Sequence, residues 1–133
     1  MEFHLDISSE LINIKKVRSF LEDVFMKLNL EKVHFNRIFL CLSEAVSNAI
    51  VHGNQCFSCR NVNISISYIN NFLIIEVIDE GVGFNVEMVK DPTLSENLKK
   101  ESGRGIFLMK NICDDVLFLD EGRRVQIKYM INK

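Results

Sequence analysis

The sequence predicts an α+β two-layer sandwich, a mostly antiparallel mixed sheet of four or five strands with helices packed on one face. Two long segments, Leu11 to Leu28 and Phe35 to Ile50, repeat their apolar residues at helical spacing. Shorter runs, among them Val62 to Tyr68 and Phe72 to Ile78, follow the strand period or are apolar throughout. Asparagine and glycine clusters separate these runs at the spacing of hairpins.

Phe3, Leu5 and Ile7 alternate with polar neighbours and predict a short first strand. Ser8-Ser9 then offers an N-cap, and Leu11, Ile14, Val17, Leu21, Val24, Phe25 and Leu28 predict a helix ending near Asn29. A second helix runs from about Lys32 to Val51, with Gly53 placed to cap its C-terminus. At about 100° per residue its Phe35, Ile38, Phe39, Leu42, Val46, Ala49 and Ile50 share one broad sector. Glu44, Asn48 and His52, spaced i, i+4, i+8, line the other side. Gln55 to Asn61 reads as a loop. Val62 to Tyr68 and Phe72 to Ile78 then pair across Asn70-Asn71, two residues that tolerate the left-handed turn of a tight hairpin. Phe84 to Ser102 is polar, holds the only proline, Pro92, and is expected to act as a lid. Gly105 to Cys113 reads as a helix. Val116 to Leu119 and Val125 to Ile131 form a last hairpin turned at Asp120-Glu121-Gly122.

The 133 residues, 47% of them hydrophobic, suit one domain spanning 1–133 with a core of its own. A net charge of −2 argues against a footprint on nucleic acid or an anionic membrane. No apolar run approaches the ~20 residues of a spanning helix, and Met1-Glu2-Phe3-His4 lacks the features of a signal peptide, so the expected location is cytoplasmic. Cys41 and Cys113 sit in apolar helical segments as small hydrophobes. Cys56-x-x-Cys59 with His52 upstream supplies three zinc-type ligands and lacks a fourth, so reactive surface thiols are the expectation there.

Three motifs in one order carry the chemistry. Glu44-x-x-x-Asn48 lies on a helix, Asp79-x-Gly81-x-Gly83 follows a strand, and Gly103-Arg104-Gly105 opens a helix. A carboxylate fixed at a strand end accepts from an amine and rejects a carbonyl placed opposite it. Gly81 and Gly83 let backbone approach a base closely. Free amides at the helix start after Gly103 and Gly105 suit phosphate, and Arg104 adds a cation. Asn48 offers a neutral oxygen that would leave a cation room for its waters, and Glu44, one turn earlier, can take the proton of an attacking hydroxyl. The chain has no P-loop lysine motif.

This motif order resembles the ATPase domain shared by gyrase, the ninety-kilodalton heat-shock chaperones, histidine kinases and mismatch-repair ATPases. The wording Ser43-Glu44-Ala45-Val46-Ser47-Asn48-Ala49 with His52-Gly53-Asn54, and Gly103-Arg104-Gly105-Ile106-Phe107-Leu108-Met109, is similar to the anti-sigma-factor serine kinase branch. The resemblance implies a Bergerat-type ATP-binding fold, ATP and Mg2+ as cofactors, Glu44 as catalytic base, and Asn48 as the one protein side chain on the metal. It implies Asp79 on the adenine, with Gly81, Gly83, Gly103, Arg104 and Gly105 completing the ATP site. The implied partners are a sigma factor, which is sequestered, and an anti-anti-sigma protein, which is phosphorylated on serine. A homodimer through the sheet side is also implied, with Phe3 to Ile7 exposed for it. The alternative is a nucleotide-binding interaction module that sequesters its partner without phosphoryl transfer. A histidine kinase reading would need dimerisation helices, for which the chain has no room. One departure stands out: the branch usually carries Gly-Thr-x-Val, its threonine near the purine-binding aspartate, where this chain has Gly122-Arg123-Arg124-Val125.

Overall fold

In the computed structural model, which describes residues 1–54, 60–81 and 107–131, five strands form one sheet in the order β1-β2-β3-β5-β4. The strands are β1 (Glu2–Ser8), β2 (Asn61–Ile69), β3 (Phe72–Asp79), β4 (Asp115–Leu119) and β5 (Arg124–Met130). All four pairings are antiparallel, so the expected mixed character is absent among the described residues. The lid expected at about 84–102, along with Gly83, Gly103, Arg104, Gly105, Cys56 and Cys59, lies outside the described residues.

The hairpin turn is as the sequence predicts. Asn70 and Asn71 take φ 52 and 68, left-handed at both central positions, and bring Ile69 opposite Phe72. The second hairpin turns through Asp120 at φ 52 and Gly122 at φ 88. Alternation then sorts the faces. Val62, Ile64, Ile66, Leu73, Ile75, Val77, Val125, Ile127 and Tyr129 point to the helices and are buried, while Asn63, Glu76, Gln126 and Lys128 point away.

Helix α1 (Ile14–Leu28) is preceded by a 3-10 turn, Leu11–Asn13, and stops at Asn29, which is left-handed at φ 54. The expected serine N-cap is not made. Ser9 is instead fully buried and donates to the Arg60 carbonyl at 2.8 Å, while Asn13 Nδ2 bonds the Ser8 carbonyl at 3.0 Å. The serine is taken up in joining the end of β1 to the entry of β2. Helix α2 (Phe35–Asn48) turns Ile38, Cys41, Leu42, Ala45 and Val46 into the core. Its Phe35 and Phe39 stack at the rim, 6.0 Å between centroids, with the Arg18 guanidinium of α1 5.1 Å from each ring. One apolar cluster joins both helices to the sheet, and each fully buried Leu or Ile in it contributes about 1.5–3 kcal/mol. No described helix is long and apolar enough to cross a membrane.

Candidate functional site

The site is built where α2 ends over the tip of β3. After Asn48 the helix widens into a π turn, Ala49–Gly53, closed by the Asn54 amide on the Ala49 carbonyl at 2.7 Å. Such turns add a residue to the helical register and occur often at functional sites. Glu44 and Asn48, both half-buried, stand one turn apart on regular α-helix, while His52 falls in the π turn. Gly53 is not the expected left-handed cap, since it lies inside this turn. Its smallness has another cause: a Cβ there would sit 2.3 Å from Asp79 Oδ2. Gly81 answers from the other side, where a Cβ would meet the Gly53 carbonyl oxygen at 1.8 Å. The two glycines let the helix end and the strand end touch backbone to backbone.

Asp79 closes β3, the central strand, and is 6% exposed. Its amide donates to the Arg123 carbonyl at 2.9 Å, and its Oδ1 accepts from the Gly81 amide at 2.9 Å. Burial pushes its carboxyl above the usual carboxylate range, against the Gly81 hydrogen bond and the nearby Arg123 and Arg60 charges, which hold it down. The departure noted in the sequence therefore lies at the site: Arg123 flanks Asp79 in space. Arg123 also bonds the Asp120 carbonyl through Nε at 3.1 Å, and the neighbouring Arg124 has a buried Nε without a hydrogen-bond partner.

Asn54 received no role from the sequence and is the hub of the site. It is fully buried. Its Nδ2 donates to Ser9 Oγ at 2.8 Å and to the Asn61 carbonyl at 3.0 Å, and its Oδ1 accepts from the Glu80 amide at 2.8 Å. Two acceptors on one side and a donor on the other fix the orientation of the amide. Glu80 Oε1 in turn accepts from the Asn61 amide at 2.5 Å. The end of β1, the start of β2 and the turn after β3 are thus held by one side chain, which sets the path of Asp79-Glu80-Gly81. The only signal in the sequence was an asparagine after His52-Gly53, in a segment that reads as an ordinary helix end. Asn54→Ala is expected to cost about 2 kcal/mol, because it orphans partly buried donors and acceptors that water can only partly satisfy. Urea unfolding measures this, and a change below about 0.5 kcal/mol would show that the hub is energetically idle.

The arrangement presents a buried carboxylate at a strand tip and, one helix away, a carboxylate and an amide in a row. A sequence profile described as the histidine kinase-like ATPase domain matches residues 7–129. The chain belongs to this family. It is accordingly an ATP-binding domain. Among curated relatives, the anti-sigma F factor of Geobacillus sp. (strain WCH70) is 31% identical over 137 residues, covering 99% of this chain and 94% of that protein. The anti-sigma F factor of Bacillus licheniformis (strain ATCC 14580) is 38% identical over 77 residues. That match spans 56% of this chain and about half, 53%, of the relative. The solved structure of the RsbU and RsbW domains of Rv1364c from Mycobacterium tuberculosis superposes on all of this chain and 33% of its own, with a TM-score of 0.73. Its 13% identity makes the likeness one of fold. Within the histidine kinase-like ATPase domain family, then, the chain groups with proteins named anti-sigma F factor.

Proposed function

We propose that this ATPase domain is an anti-sigma factor that phosphorylates a serine on an anti-anti-sigma partner and sequesters a sigma factor. The relatives named anti-sigma F factor support the sigma factor as a partner. The observation that carries the phosphoryl transfer is the half-buried pair Glu44 and Asn48, one turn apart on the helix whose end touches Asp79. Residues 1–133 act as one domain.

Asp79 Oδ1 is held by the Gly81 amide, and the carboxylate accepts from the adenine amine, with Gly81 and Gly83 giving the base room. Gly103, Arg104 and Gly105 hold the phosphates through amides and a guanidinium. Asn48 would hold Mg2+ through its side-chain oxygen, and the ion would supply neutralisation of phosphate charge. Glu44 orients the partner's serine hydroxyl and accepts its proton as the serine oxygen bonds to the γ-phosphorus and ADP departs.

Calorimetry with ATP, ADP and GTP in the presence of magnesium tests the site, followed by phosphate transfer to a serine-bearing anti-anti-sigma protein. Binding of both adenine nucleotides, at least about tenfold weaker GTP binding, and a phosphoserine on the partner are expected. ATP binding without any transfer to the partner would overturn the kinase reading, and absence of nucleotide binding would overturn the site.

A further inference from the structure

The nucleotide chemistry leaves two buried cysteines unused. Cys41 on α2 is fully buried, and Cys113, just after helical residues 107–112, is 8% exposed. They are 72 positions apart in sequence, yet the Cys113 thiol donates to the Cys41 sulfur at 2.8 Å. Core atoms that merely pack stand about 3.5–4.0 Å apart. Both thiols are free.

We propose that Cys41 and Cys113 are a dithiol oxidation site, at which hydrogen peroxide produces an intramolecular disulfide that the native fold accommodates. The sulfurs need to close by only about 0.8 Å to reach the S–S bond length. Cys41 and Cys113 belong to the same buried core cluster, so the two segments that carry them are already packed together. A water-sized oxidant suits a pair whose more accessible member is 8% exposed, whereas a bulky disulfide does not.

The hydrogen bond from Cys113 holds the Cys41 thiol below its usual range, aided by Arg37, and holds the proton on Cys113, whose pKa is raised by the same bond. The Cys41 thiolate attacks one peroxide oxygen and the O–O bond breaks. The departing hydroxide takes the Cys113 proton and leaves as water, so that Cys41 is a sulfenic acid beside a Cys113 thiolate. That thiolate attacks the Cys41 sulfur, forms the S–S bond and expels hydroxide, which is protonated to the second water. Two thiols are oxidised and one peroxide is reduced.

The bond would tie α2, three residues before Glu44, to the segment that enters β4. The test uses the full chain with Cys56 and Cys59 changed to serine, treated with hydrogen peroxide while native, blocked with an alkylating agent and digested without reductant. A Cys41–Cys113 crosslinked peptide, restoration of both thiols by dithiothreitol, and a melting temperature raised by at least about 5 °C in the oxidised form are expected. Cys41→Ser and Cys113→Ser should each abolish the crosslink while binding ATP like the parent. Thiols that react only after denaturation, a crosslink between two chains, or an oxidised form that melts lower would each overturn the proposal.

Discussion

Glu44→Gln is expected to leave ATP affinity within about twofold of the parent and to slow transfer to the partner serine by about 10²–10⁴-fold. Glutamine keeps the shape and the half-buried place of the side chain on α2, and so keeps the packing and the neighbouring Asn48. It loses only the ability to take the hydroxyl proton. Single-turnover transfer from ATP, with affinity measured separately, distinguishes the two effects. A variant that transfers at the parent's rate would remove Glu44 from the mechanism and return the chain to the class of nucleotide-dependent binding modules.

Asp79→Asn is expected to weaken adenine-nucleotide binding by at least about 100-fold, because the amide can turn a donor toward the adenine amine and leave two donors facing each other. Folding should move the other way. Asn retains an oxygen for the Gly81 amide and fits over Gly53, while the buried charge is gone. The sign follows from the raised carboxyl of the parent. A carboxyl whose folded pKa lies above its unfolded value destabilises the fold when ionised. That cost is fully present above the folded pKa and vanishes as the pH falls below the unfolded one. At pH 7 the variant should therefore be at least as stable as the parent, and the advantage should disappear on acidification through the window above the usual carboxylate range. Urea midpoints at pH 7 and pH 4 check this. A variant that binds poorly and also unfolds easily at pH 7 would mean that Asp79 supports the fold rather than the ligand.

The parts of this molecule that were legible in the sequence are those fixed by neighbours. The period of Val62 to Tyr68, the left-handed tolerance of Asn70-Asn71 and the stop at Asn29 each depend on a few adjacent residues, and each is found as predicted. Glu44 and Asn48 could be placed on one helix row for the same reason. The rest depends on residues far apart in the chain. Gly53 reads as a cap, but its lack of a side chain answers to Asp79, 26 positions on. Ser9 reads as an N-cap, but its hydroxyl serves Arg60 and Asn54. The π turn has no residue signature separating it from the helix it extends, and no local pattern reveals that Cys41 meets Cys113.

The strand order has a kinetic side. β2 with β3, and β4 with β5, are hairpins that close across short turns, and elements of this kind form in about 1–10 μs. The other two pairings, β1 with β2 and β3 with β5, join distant stretches of chain and carry the loop-closure entropy. Asp79 lies at the open mouth of the first hairpin, and its bond to Arg123 and the Asn54 bridge from Ser9 to Glu80 require both distant pairings. The end of β3 around Asp79 is consequently complete only once both distant pairings have formed, and the two hairpins alone do not build it.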